Sequence, residues 1–285
     1  MDKKPFSITP VYDRLLRGSV DTPIGLYQLQ IATAAQLTKL HYSAGSIKTV
    51  KARLKDLADH GFVQADGIPT KFSRSPYYYA LAQKGIQYLE AAGLDTNDAF
   101  RASKEVNDLL ISAALLQRVD PRFCLHDFKH ERTLKRSPYR AAWQERGQTQ
   151  TATIIPDAFL DVRLQLSDGK QRRLPLLLEH DRGSEEQQHF KRRIRAYREF
   201  IRSGTFKTLL GVTTVTVCFT TFMGMHRLVK MQAWTQEALD GDTSVQGLFL
   251  FGDLSQPLDS RQFGFELHWY SVHLNQPPFS LLAER

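Results

Sequence analysis

Cysteine is almost missing from this chain: Cys124 and Cys218 are the only two in 285 residues. Two such residues build no disulfide framework and offer no zinc-ligand spacing, so both are expected as reduced core side chains. Long apolar runs are also lacking. The longest uncharged stretch, Leu209 to Met225, is shorter than the roughly 20 residues a membrane helix needs. Thr213, Thr214, Thr216, Thr220 and Thr221 interrupt it further, so it reads as a buried strand leading into a helix. No apolar segment follows Met1-Asp2-Lys3-Lys4-Pro5, so no secretory signal and a cytoplasmic location are expected. Internal repeats and low-complexity segments are absent. Acidic residues are the scarcer charge, 30 against 38 Lys and Arg, which gives a net charge of +8. That excess, with a pI near 9.4, favours a polyanionic partner, either nucleic acid or an anionic membrane surface. Hydrophobic content of 42% and charged content of 24% are ordinary for a globular protein, and the length allows two full cores.

What is present is concentrated between Thr33 and Leu81. The Thr33-Ala34-Ala35-Gln36 opening has the pattern of a capping box, starting a short helix to His41 with Ala34, Leu37 and Leu40 inward. Tyr42-Ser43-Ala44-Gly45-Ser46 has the small, Gly-containing composition of a helix-turn-helix turn. In the next helix Ile47, Val50, Leu54 and Leu57 form an apolar stripe, with Lys48, Lys51 and Lys55 beside it. Gly61 stops that helix. Phe62 to Ala65 and Tyr77 to Leu81 read as two strands, joined by a loop carrying Lys71 and Arg74. With a first helix over Ile8 to Leu16 and a closing one over Gln83 to Ala92, this describes a winged helix-turn-helix over residues 1–95. Such a module sets Ser46, Lys48, Thr49, Lys51 and Lys55 against the major groove of double-stranded DNA. Lys71 and Arg74 on the wing then meet neighbouring phosphates or enter the minor groove. Nucleic acid is thereby preferred to a membrane. Arg53 faces either DNA or the module's own acids.

The turn-rich Gly93 to Asp98 is the candidate boundary, and 96–285 a second domain. Ala99 to Val119 reads as a long amphipathic helix ended by Pro121, and Arg122 to Leu125 as a short strand. His126 and His130, four apart beside Glu131, would share a helical face, but a pair lacking a third ligand reads as polar surface. The basic stretch Lys129 to Arg146 has no clear period. Thr149 to Ile155, Phe159 to Leu166 and Arg173 to His180 then alternate as three successive strands, the last nearly all apolar and therefore central. Glu185 to Arg202 follows as a helix with Phe190, Ile194, Tyr197 and Ile201 inward. Its outward stripe of Lys191, Arg195, Arg198 and Arg202 reads either as solvated surface or as further phosphate contacts. Leu209 to Phe219 is a strand, His226 to Leu239 a helix and Gly247 to Phe251 a last strand. Phe263, Phe265, Trp269 and Tyr270 pack back on the core. The whole is α/β (α+β overall), the second domain an αβββαβ sandwich.

The order of these strands, with Pro156-Asp157 and Glu179-His180-Asp181 at strand ends, resembles the core of the PD-(D/E)XK nuclease superfamily. More narrowly, Ile155 to Phe159, Leu178 to Glu185, Ile194 to Tyr197, Glu105 to Leu109 and the Tyr77-Tyr78-Tyr79 … Gly85 segment resemble the replication-relaxation family of plasmid and mobile-element proteins. That family joins a winged helix to a nuclease-like domain. The resemblance implies a sequence-specific duplex-binding protein, accessory to DNA relaxation or transfer or a transcriptional regulator. Relaxase, replication or transfer proteins and a second copy of the chain are the implied partners.

The nuclease resemblance implies, as the alternative, a divalent-metal-dependent endonuclease or nickase. Asp157 and Glu179 would be its metal pair, with Mg²⁺ or Mn²⁺ the only cofactor. The lysine such a site requires two residues after the second acid is Asp181 here. Lys191 would have to supply a relocated amine and Glu105 a third carboxylate. That departure points to a catalytically degenerate domain, in which Asp157, Glu179 and Asp181 form an ion-pair cluster with Arg182 and with Arg192 or Arg193.

Overall fold

The computed structural model describes residues 31–67, 77–91, 104–145, 147–255, 265, 269–274 and 276–283. The helix expected over 8–16, the loop carrying Lys71 and Arg74, the boundary at 93–98, and Phe263 lie outside the described residues. The chain is a mixed α/β protein that divides into two compact units, Met1–Ala114 and Leu115–Arg285.

In the first unit, β1 (Ile31–Thr33) runs directly into α1 (Ala34–His41). The helix starts at Thr33 because both halves of the capping box form. Thr33 Oγ1 accepts the Gln36 N–H at 3.2 Å, and Gln36 Oε1 accepts the Thr33 N–H at 2.8 Å. A 3₁₀ turn at Ala44–Ser46 leads into α2 (Ile47–Asp59), which buries Val50, Leu54 and Leu57. Gly61, at φ +76°, reverses the chain at its end, a conformation glycine adopts without steric cost. β2 (Val63–Gly67) and β3 (Tyr77–Leu81) then pair antiparallel. β1 adds to the far side of β3 and gives the order β1-β3-β2, a third strand too short to show a period in the sequence.

α3 (Gln83–Ala91) closes the hairpin, and Gly85 is there for space. A Cβ at this position would lie 2.3 Å from the Phe62 carbonyl oxygen, a backbone atom that cannot swing aside. Gly85→Ala is therefore expected to lower the unfolding midpoint in urea. It does so even though alanine is favoured over glycine in a helix by about 1 kcal/mol. An unchanged or raised midpoint would mean that α3 does not approach Phe62 this closely.

The second unit is entered through α4 (Lys104–Val119), inside which the division falls. β4 (Phe123–His130), α5 (Glu131–Lys135), β5 (Tyr139–Glu145), β6 (Gln148–Ile154), β7 (Ala158–Gln165) and β8 (Gln171–Asp181) follow. Next come α6 (Gln187–Ser203), α7 (Thr205–Leu210), β9 (Thr216–Thr221) and α8 (Met225–Leu239). The chain ends with α9 (Thr243–Gln246), β10 (Phe249–Asp253) and β11 (Trp269–Tyr270). Six strands make one sheet in the order β11-β10-β9-β8-β7-β4. β4, β7 and β8 are antiparallel neighbours, and β8, β9 and β10 run parallel with α6 and α8 as crossovers. β8 is central, as its apolar composition implies. Its Pro175 faces Asp161 of β7, one residue before pairing with β9 begins at Leu176, so the missing N–H costs no ladder bond to β9.

The structure corrects four readings. The first antiparallel strand of the sheet is β4 rather than the 149–155 segment, which pairs with β5 as a separate hairpin. His126 and His130 therefore sit on a strand and share no helical face. Leu209 lies in a short helix that ends at Leu210, so the strand after it begins only at Thr216. Cys124 is exposed, while Cys218 is buried, its thiol pushed up by burial. Phe265 and Trp269 are buried as expected.

Candidate functional site

Two regions carry the chemistry read from the sequence, one in each unit. In the first, α2 shows the amphipathic division its spacing implies. Val50 and Leu54 are fully buried, and Lys48, Thr49, Lys51 and Lys55 are exposed. Among the described residues none of the three lysines has an ion-pair partner. Ser46, half-buried, turns its hydroxyl to Ser43 at 2.9 Å. Arg53 pairs with none of the unit's acids among the described residues. Its guanidinium lies over the Tyr42 ring at 5.6 Å and donates to the Tyr42 hydroxyl at 3.3 Å, bracing the turn before α2.

The cationic stripe on α6 is already engaged. Lys191 pairs with Glu237 of α8, and Arg195 with Glu145 of β5 at 3.0 Å. Arg198 pairs with the adjacent Glu199 at 2.9 Å, and Arg202 with Asp242 at 3.0 Å. The partners come from α8, from Asp242 after it, from α6 itself and from the β5–β6 hairpin, whose packing against α6 the sequence did not disclose. The Tyr139 ring of β5 packs on Phe200, centroids 4.8 Å apart and planes tilted by 47°, and Arg192 donates to the Thr151 carbonyl of β6.

At the C-terminal end of β8 the acidic residues meet, as their places at the strand ends imply. Each is bound by protein donors. Glu179, 4% exposed, accepts from Arg193 Nη1 at 2.6 Å on one oxygen and from the Tyr197 hydroxyl on the other. Arg193 also pairs with Glu185, and its guanidinium lies 5.7 Å from the centre of the Phe219 ring. Asp157 accepts the His180 N–H at 2.7 Å. Asp181 takes Arg227 in a bidentate pair at 2.7 and 2.8 Å. Arg227 reaches on to the Glu185 carbonyl at 2.8 Å and lies 4.9 Å over the Trp234 ring. Arg182, one of the expected partners, is exposed instead. Arg193 and Tyr197 were within reach of the sequence, being four apart on one helical face. Arg227 was not, because it lies beyond a parallel crossover.

Burial pushes Glu179 up to about 7, with Asp157 adding to the effect and the Arg193 guanidinium opposing it. Burial also raises Asp157, in part offset by the His180 N–H. Tyr197 is raised by its own burial and by Glu179 beside it.

These donors do not fit a divalent cation. Both Glu179 oxygens already accept from a guanidinium and a phenol, and both Asp181 oxygens from Arg227. Lys191, the amine a cleavage site would borrow, is bound by Glu237. The Glu105 side chain lies outside the described residues. Among those residues no three His, Cys, Asp or Glu side chains are grouped to hold a metal ion.

The fold and these two regions define a two-unit α/β protein with a basic helix in one unit and a sealed acidic strand end in the other. The chain belongs to the replication-relaxation family, whose model matches residues 25–216. That span takes in the described elements of the first unit and the second unit as far as the start of β9. No curated protein and no solved structure matches the chain.

Two measurements test the strand end. Removing one partner of a buried pair strands the other, so Arg227→Ala is expected to cost about 3–5 kcal/mol in urea unfolding. A loss below about 1 kcal/mol, the usual worth of a surface pair, would remove Arg227 from the interior. The second is pH dependence. The folded protein holds the Glu179 proton more tightly than an unfolded chain, whose glutamates titrate near 4.5. The group therefore favours folding fully below that value and loses its contribution as pH rises through about 7. Between pH 5 and 8 the wild type should lose stability relative to Glu179→Gln, by no more than about 3 kcal/mol. Parallel pH profiles would assign Glu179 an ordinary carboxylate range.

Proposed function

We propose that this chain is a sequence-specific double-stranded-DNA-binding protein of a plasmid or other mobile element. In this reading the first unit is a winged helix that lays α2 in the major groove. The second unit is a nuclease-like domain that has exchanged metal chemistry for internal ion pairs and serves in assembly. The observation that carries the reading is the division of α2. Lys48, Thr49, Lys51 and Lys55 are exposed over a face of buried Val50, Leu54 and Leu57, and the lysines are unpaired among the described residues. Cations left free on a helix anchored this firmly are placed to neutralise phosphates while the helix is held against base edges. Family membership favours a role as accessory to DNA relaxation or transfer, beside a relaxase, or in regulating the element's own genes. A homodimer follows if the site is palindromic. The α6 stripe contributes little to the DNA surface, since its charges are balanced within the unit.

The test is a mobility-shift titration on a duplex selected from a random pool, at several salt concentrations. Alanine at Lys48, Lys51 and Lys55 should weaken binding and lower the slope of log K against log salt by about 1 for each phosphate no longer neutralised. Undiminished affinity in a folded triple variant would remove α2 from the interface. Supercoiled plasmid incubated with the protein and Mg²⁺ or Mn²⁺ is expected to be retarded but left uncut. Cleavage abolished by both Asp157→Ala and Glu179→Ala would overturn the non-catalytic reading and make the chain an endonuclease or nickase.

A further inference from the structure

Large hydrophobic side chains exposed among the described residues are few, and they are not scattered. Seven exist, and four of them, Phe222, Met223, Met225 and Val229, lie in eight successive residues with exposures of 40–44%. They occupy the loop after β9 and the first turns of α8, at the C-terminal end of the parallel strands. Single exposed hydrophobics need no explanation, but a contiguous cluster does.

This cluster is rigidly built. The Phe222 ring stacks on His180, with centroids 5.5 Å apart and planes at 27°, and the His180 Nδ1 is within 3.0 Å of the Thr220 hydroxyl. The Met223 N–H donates to Thr221 Oγ1 at 3.1 Å. Gly183, at φ +81°, lets the 181–184 loop close against Met223, whose Cγ would be 2.7 Å from any added Cβ. Arg227 holds the same loop from below through Asp181 and the Glu185 carbonyl.

The charges around it have one prevailing sign where water reaches them. Arg182, His226 and Lys230 are exposed, the last two sharing a helical face with Met225 and Val229. The acids at this end, Asp157, Glu179, Asp181, Glu185 and Asp253, are buried or half-buried and bonded to protein donors. Glu186 is the one exposed acid on the flanking loop. A half-exposed aromatic ring backed by an imidazole, beside flexible thioethers and exposed cations, suits a ligand with flat apolar faces and closely spaced anions. Single-stranded nucleic acid has both, whereas a duplex hides the faces of its bases.

We propose that Phe222, backed by His180, is a base-stacking platform for single-stranded DNA, with Arg182 and Lys230 contacting the flanking phosphates. This site lies in the second unit and does not depend on the duplex reading of α2. The test uses the full chain and a fluorescein-labelled 20-nucleotide oligothymidylate, followed by anisotropy. Phe222→Ala should weaken its binding by about tenfold, leaving duplex binding and the unfolding midpoint unchanged. Phe222→Trp should retain binding, with the new tryptophan quenched as the oligomer is added. Alanine at Lys48, Lys51 and Lys55 should leave oligothymidylate affinity within about twofold, which separates failure here from failure of the duplex reading. Equal affinity of wild type and Phe222→Ala, or loss of binding only in the lysine variant, overturns the platform. So does a sedimentation shift from dimer to monomer in Phe222→Ala, which would make the patch an interface between copies of this chain.

Discussion

Glu179 and Asp181 stand two residues apart on the central strand of the second unit, both removed from water and both answered by a guanidinium from a crossover helix. Arg193 of α6 answers the first and Arg227 of α8 the second. A carboxylate taken out of water without a partner would cost several kcal/mol, so the strand end cannot be sealed until both helices have docked. Burial of the strand end is thus coupled to placement of the helices. Arg193 and Arg227 also converge on Glu185, one on its carboxylate and the other on its carbonyl, which fixes the turn between β8 and α6. Aromatic rings complete the enclosure, with Phe190 and Phe219 near Arg193 and Trp234 beneath Arg227.

The same enclosure engages the carboxylates of a constellation that resembles a nuclease centre in its sequence. Coordination needs carboxylate lone pairs turned towards a shared cation, and here each oxygen of Glu179 and Asp181 already accepts from a side chain of the same unit. The β5–β6 hairpin has a similar effect on α6. It packs on part of what an amphipathic pattern presents as the outer face and engages Arg192 and Arg195, while Lys191 and Arg202 pair with Glu237 and Asp242.

How much was legible follows from how local each signal is. The capping box at Thr33 and Gln36, the stripe of Val50, Leu54 and Leu57, and the strand Tyr77–Leu81 are decided within a few residues, and each forms as read. Ser167-Asp168-Gly169-Lys170 has the composition of a hairpin turn and forms one, with Gly169 at φ +81° and the Leu166 N–H donating to the Lys170 carbonyl at 2.8 Å. What was missed around the site needs distant information. The 149–155 segment alternates like any strand, and nothing within it says whether its partner is β5 or β7. The α6 stripe has the spacing of a solvated face, and its partners Glu145, Glu237 and Asp242 all lie far from it in the chain. Arg227 carries no mark of burial in its own neighbourhood, since its partner lies across a parallel strand pair. The resemblance to the family drew on short motifs in order along the chain, and the family match over residues 25–216 agrees with it.

The shared hold on Glu185 bears on how the sequence of this region changes among relatives. Losing one member of a buried ionic set is costly, while exchanging the whole set for well-packed apolar groups is often neutral or better. Positions 181 and 227 are therefore constrained to vary together, as are 179, 193 and 197, with intermediate combinations selected against. An aligned set of such proteins would carry this coupling as correlated columns far apart in the chain, with position 185 linking the two groups.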